Sequence, residues 1–226
     1  MQFTDSAARK YTAWWEIDSR DHTGLMIGTD FHAPHHSALW CNRLLGVAQH
    51  YGIRTLLIAG DGLDMAAFSS WGADPEQSWT QEMSHAAQWL WVIYHSFDRV
   101  LWLRGNHEDR LARATNWQLS AGQLTDAILT HKAREMGEAF TFEPERMLFS
   151  PYPQCTIDGE WLVVHPRSYS RIRGRIANQI AMIRQKHVIA AHSHLANKGW
   201  SDDGRHITID TGGMFDEDLI QYRSMS

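Results

Sequence analysis

Residues 25–36 read Leu-Met-Ile-Gly-Thr-Asp-Phe-His-Ala-Pro-His-His. The run 25–29 predicts a buried strand that delivers the chain to Asp30-x-His32. On extended backbone, alternate side chains share a face. One carboxylate and one imidazole then face a common point, which is the donor pair a divalent transition metal takes. Five further apolar runs predict strands at 55–59, 100–103, 161–164, 187–190 and 206–209. Several are continuously apolar, as expected of strands covered on both faces. Helices are predicted over 37–51, from the Asp74-Pro75-Glu76 start to about residue 97, over 120–137 and over 169–186. Strands alternating with helices predict an α/β layered fold. Residues 141–157 carry three prolines and predict irregular chain or short edge strands.

Five of the six predicted strands end in polar donors. Besides Asp30 and His32, these are Gly60-Asp61-Gly62-Leu63-Asp64, Gly105-Asn106-His107-Glu108-Asp109, His165 and His192-Ser193-His194. Ligands of open α/β folds gather at the carboxyl ends of strands, so residues far apart in sequence can meet there. His192-x-His194 repeats the alternate-position logic with two imidazoles. Asp61 lies in a glycine-flanked turn, where its two oxygens could bridge two ions. Asn106 adds a neutral amide oxygen. A mixed nitrogen and oxygen set without cysteine points to Mn, Fe, Zn or Ni, with Mn the expected ion in vitro. Two divalent ions, two aspartates and a bridging hydroxide leave one positive charge, which favours an anionic phosphate ester. His107, placed on an extended segment, would point away from the metals and be free to protonate a leaving group, with Asp64 to orient it.

Composition bounds the rest. The chain has 226 residues, 43% hydrophobic and 21% charged, which suits one globular domain. A net charge of −5 gives no global reason to bind nucleic acid. No apolar run reaches the ~20 residues of a membrane span, and residues 1–16 lack the apolar core of a signal peptide, so a cytoplasmic location is expected. Cys41 and Cys155 are expected to be buried, inert thiols. Of the 11 tryptophans, Trp89, Trp91 and Trp102 sit in apolar segments and are expected in the core.

The order of motifs resembles the calcineurin-like metallophosphoesterase superfamily. That pattern is Asp-x-His, Gly-Asp-x-x-Asp, Gly-Asn-His-Asp/Glu, a later His, and Gly-His-x-His. It is met at Asp30–His32, Gly60–Asp64, Gly105–Glu108, His165 and His192–His194, with Ala191 in place of the last glycine. The resemblance spans roughly residues 25–213, with the flavour of compact phosphoesterases encoded by phages and prophages. It implies a four-layer α/β-β/α sandwich of two packed mixed sheets flanked by helices, over residues 25–226, preceded by an N-terminal extension, 1–24. It implies one metal at Asp30, His32, Asp61 and His194 and another at Asp61, Asn106, His165 and His192. His107 would be the general acid, paired with Asp64. Met65 and Ala66 stand where protein Ser/Thr phosphatases carry Arg and Gly, which argues against that branch.

Substrate contacts are expected from Arg110, Arg167 and Arg171. Arg167, Arg171 and Arg175 are spaced to share a helical face, and Ile172, Ile176, Ile180 and Ile183 to form an apolar stripe for packing. This local basic patch predicts a nucleotide or nucleic-acid substrate, despite the acidic whole. His35 and His36 would lie at the mouth of the site, and Arg104 beside Asn106. Two other readings remain: a non-catalytic metal-binding module of the same fold that binds phosphate ligands or nucleic acid, and a nucleic-acid-binding protein without enzymatic activity. Intact Asp61, Asn106 and His107 speak against the first, and the acidic balance against the second.

Overall fold

The computed structural model describes residues 15–69 and 78–216. In chain order the strands are β1 Trp15–Ile17, β2 Leu25–Gly28, β3 Thr55–Ile58, β4 Arg99–Trp102, β5 Met147–Phe149, β6 Gln154–Ile157, β7 Trp161–Val164, β8 His187–Ala190, β9 Asn197–Trp200 and β10 Ile207–Asp210. The helices are α1 Ala38–Tyr51, α2 Trp79–Ser96, α3 Asn106–Ala114, α4 Ala121–Met136 and α5 Arg175–Arg184. One sheet has the order β1-β6-β7-β8-β10-β9 and is mixed, with β6–β7 and β10–β9 antiparallel. The other, β2-β3-β4-β5, is parallel throughout, where the expectation was a second mixed sheet.

Strand periodicity explains the layering. Leu56 and Ile58 of β3 and Val100 and Trp102 of β4 face outward, into one apolar cluster with α1, α2 and α4. Their alternates Leu57 and Leu101, with Ala59 and Leu103 just beyond, face inward against Cys155, Ile157, Val163 and Ala191 of the six-stranded sheet. On that sheet's far side Leu162, Val164, Val188 and Ala190 pack on Ala177 and Ala181 of α5. The result is helices, sheet, sheet, helix. Full burial of a leucine such as Leu57 contributes about 2 kcal/mol. Trp89 and Trp102 lie in the core, Trp91 packs partly buried against it, and both cysteines are buried free thiols. Burial pushes the Cys41 thiol up to about 11 and that of Cys155 to about 12, which keeps them protonated.

Several expected boundaries move. β4 and β10 are each displaced by one residue from the predicted runs. The start predicted at Asp74-Pro75-Glu76 lies outside the described residues. α2 opens at Trp79, where Ser78 and Gln81 form a reciprocal capping box. The predicted helix 169–186 begins only at Arg175, because Gly174 adopts φ +74° and ends the preceding loop. Arg167 and Arg171 therefore share no helical face with Arg175. The isoleucine stripe fails for the same reason: Ile176 is buried, but Ile172 precedes the helix and Ile183 faces solvent. α3 begins at Asn106, where extended chain was expected. β1 lies in the segment predicted as an extension and pairs in parallel with β6.

Candidate metal centre

The loops after β2, β3, β4, β7 and β8 meet at one end of the two sheets. They bring all seven predicted ligands together. Asp30, His32 and His194 form one group whose donor atoms lie within 4.8 Å of one another, and Asp61, His165 and His192 form a second. A third group, His32, Asp61 and His107, overlaps both predicted metal sites. Asn106 joins the second group, its Oδ1 2.9 Å from His165 Nε2.

The loops are tied to one another by backbone. Asp30 N–H donates to the Gly60 carbonyl, His32 N–H to that of Asp61 and Ala33 N–H to that of Gly62. Glu108 adds a side-chain tie. Its buried carboxylate accepts N–H bonds from Asp61, Gly62 and Gly105 at 3.0, 3.0 and 2.8 Å, locking the two glycine turns together. The motif Gly-Asn-His-Asp/Glu flagged this position, but nothing local showed what it held. Gly105 has no room for a side chain, since a Cβ there would strike Asp61. Five of the seven converging residues hold left-handed φ: Asp30 +50°, His32 +48°, Asp61 +50°, His192 +72° and His194 +57°. Such values are uncommon outside glycine and cluster where a fold is held to a task.

Imidazole orientation follows from the bonds at the rear nitrogens. His32 Nδ1 lies 3.0 Å from Asp64 Oδ1, and His165 Nδ1 2.9 Å from the Ala59 carbonyl. Each Nδ1 donates a proton to the rear, so Nε2 is the nitrogen turned toward the centre. His32 Nε2 and His194 Nε2 face each other at 3.2 Å, and Asp30 Oδ1 is 3.3 Å from the latter. Two ring nitrogens and a carboxylate aimed at one point suit a cation. Asp61 Oδ2 is buried without a hydrogen bond of good geometry, though His165 Nε2 is 3.2 Å away. The residues thus fit a metal pair with Asp61 between the two groups.

Asp64 serves two histidines. His107 Nδ1 lies 3.1 Å from its Oδ1 and 2.5 Å from its carbonyl, so Asp64 orients both His32 and His107. His35 Nε2 is 3.9 Å from Asp64 Oδ2, at the rim. The expectation that His107 points away from the metals is corrected by the helix start: in the first turn of α3 its Nε2 comes 3.7 Å from Asp61 Oδ2. Phe215, which carried no sequence signal, closes the back of the site against His194, ring centres 4.5 Å apart. Arg110 Nη1 donates to the Asp64 carbonyl, and Arg167 and Arg171 lie exposed in the loop after β7.

Protons on the imidazoles balance the buried carboxylate charge of the centre. Burial works against the His165 cation, but the Asp61 charge and hydrogen bond outweigh it and push His165 up to about 10. Burial and then His165 depress His192 to about 4. Burial disfavours the Asp61 carboxylate, yet His107 and His165 hold its pKa well below the usual range. A metal must displace the proton on His165, so loading at pH 7 should release about one proton, and affinity should rise with pH up to the His165 value. Calorimetric titration in buffers of different ionisation heat measures this. Heat independent of buffer would refute it.

A family model described as calcineurin-like phosphoesterase matches residues 25–217. Among solved structures, the chain resembles YfcE, a phosphoesterase from E. coli, with 16% identity and a TM-score of 0.39, over 84% of this chain and 79% of that one. It also resembles the nuclease MPE of Pseudomonas putida, with 13% identity and a TM-score of 0.36, over 84% and 74% of the two chains. No curated protein matches the sequence.

Proposed function

The chain belongs to the calcineurin-like phosphoesterase family, and from that premise we propose a division of labour among its residues. The protein is a metal-dependent hydrolase of phosphoester bonds. The observation that carries the finer reading is the sharing of Asp61 between the Asn106–His165–His192 side and the His32–His107 side of one buried centre. Asp30, His32, Asp61 and His194 would hold one divalent ion, and Asp61, Asn106, His165 and His192 the other. Two such ions supply Lewis acidity toward phosphoryl oxygens and lower the pKa of water to about 7.

The chain's own groups do the rest. His107 presents Nε2 to the centre, and Asp64, bonded at Nδ1, stabilises the imidazolium that protonates the leaving oxygen. Glu108 holds the turns carrying Asp61 and Asn106 at fixed separation. The first turn of α3 also points the positive end of a helix into the site. The substrate class is a nucleotide or nucleic acid, supported by the arginines flanking Asn106 and His165. Mn is the activating ion we expect. No helix among the described residues is long and apolar enough to cross a membrane.

Stripped of metal and reloaded with Mn, Ni or Zn, the protein should hydrolyse bis-p-nitrophenyl phosphate or p-nitrophenyl phosphate. Chelation should abolish turnover and metal should restore it. No hydrolysis of either ester with any of the three ions would overturn the reading.

A further inference from the structure

Arg167, predicted to share a helical face with Arg171 and Arg175, instead joins Arg104 and Arg113 around a buried carboxylate. Asp109, in the first turn of α3, is 3% exposed. Arg104 Nε stands 3.0 Å from its Oδ1, and Arg113 and Arg167 each donate an Nη2 to its Oδ2 at 3.4 Å. One guanidinium would neutralise this aspartate. Three leave an excess of two positive charges, and among the described residues no second carboxylate pairs with any of the three. The side chains of Arg113 and Arg167 are 64% and 74% exposed, so most of their donors face water.

An aromatic ring completes the surface. The Arg104 guanidinium carbon lies 5.7 Å from the centre of the Trp117 ring, and Trp117 is 58% exposed. The turn that presents it is strained, with Asn116 at φ +48° and Trp117 at +62°. Here that backbone turns a large apolar side chain toward solvent rather than into the core. The fan adjoins the Asn106–His165 side of the centre. Asp109 follows Asn106 by less than one helical turn, and Arg167 is two residues beyond His165, whose Nε2 is 2.9 Å from Asn106 Oδ1.

We propose that Arg104, Arg113, Arg167 and Trp117 form a ledge that binds single-stranded nucleic acid leading into the centre. The guanidiniums take backbone phosphates flanking the scissile one, and Trp117 stacks on an unpaired base. Stacking of this kind needs a free base face, which a duplex hides. The two exposed arginines lie open to solvent, as a strand running past requires. The inference rests on the phosphoesterase reading for the bond that is cut.

Binding is measured by anisotropy of a fluorescein-labelled oligothymidylate with chelator present, so that no turnover intervenes. Trp117→Ala should weaken binding at least tenfold, the scale of one stacked base, and leave the salt dependence unchanged. Arg113→Ala/Arg167→Ala should weaken binding and reduce the slope of log affinity against log salt by about 0.7 for each phosphate no longer neutralised. With metal, KM for the oligonucleotide should rise in both variants while kcat stays within about twofold. Melting curves check that the exposed substitutions leave the fold intact. Variants that bind the strand like the wild type overturn the ledge, even if bis-p-nitrophenyl phosphate is hydrolysed. A wild type that binds through these residues but hydrolyses no ester overturns the phosphoesterase reading and leaves the ledge standing. Equal affinity for duplex and single strand, each abolished by Trp117→Ala, overturns the assignment to unpaired bases.

Discussion

Asp61→Asn should bring activity down by on the order of 10³-fold or more, the scale of removing one preorganised electrostatic element, and should strip metal from both halves of the centre. The reason is position. Asp61 stands in the His165–His192 group and in the His32–His107 group. Its Oδ1 accepts the His107 backbone N–H at 2.9 Å, while its Oδ2 is the buried oxygen without a well-aligned donor. Asparagine keeps the shape and one acceptor but removes the charge that the cations share. His192→Ala should behave differently, losing one ion and keeping the other, because His192 belongs to one group alone. Metal content by mass spectrometry and kcat/KM on bis-p-nitrophenyl phosphate separate the two. Asp61→Asn with full metal content and activity within tenfold of wild type would remove Asp61 from the bridging position.

The second large effect is expected at His107. His107→Ala should lower kcat by about 10²–10⁴-fold on an ester with a poor leaving group, the usual range for a missing general acid. The deficit should shrink on p-nitrophenyl esters, whose leaving group departs without a proton, and metal content should stay at the wild-type value. Asp64→Asn should reproduce the leaving-group dependence more weakly. It should also disturb the metal on the His32 side, because Asp64 bonds Nδ1 of both histidines. The third donor group, His32 with Asp61 and His107, makes His107 as ligand the competing assignment. Loss of metal in His107→Ala, with equal damage on good and poor leaving groups, would favour that competitor.

Much of this arrangement was legible in the order of residues. β7 and β8 fall at the predicted bounds, and β2 and β3 within one residue, because each is a short apolar run stopped by donors or glycine. The seven converging residues were legible from the order of motifs after the strands; the extended-backbone argument for Asp30-x-His32 and His192-x-His194 fails, since all four residues hold positive φ. What escaped has identifiable causes. β9, Asn197–Trp200, carries no apolar pattern and is held by its antiparallel ladder with β10. β1 is three residues long and its partner lies far along the chain at β6. α3 was hidden because Gly105-Asn106-His107 reads as turn chemistry, and its first turn is secured by Glu108 rather than by a Ser or Thr cap. The ledge was hidden because Asp109 draws in Arg104 and Arg167 from different loops, a convergence no local spacing encodes.

The left-handed backbone at Asp30, His32, Asp61, His192 and His194 bears on how this scaffold would respond to directed evolution. Glycine adopts such conformations freely, whereas a side chain there costs about 1 kcal/mol or more. Glycine at these five positions would relieve the backbone but lose buried bonds such as the one from the His107 N–H to Asp61 Oδ1, so a gain or loss of heat resistance says nothing of the chemistry. Any thermostabilisation campaign on this protein therefore needs a turnover filter in every round, and back-to-consensus scoring by stability should exempt these codons.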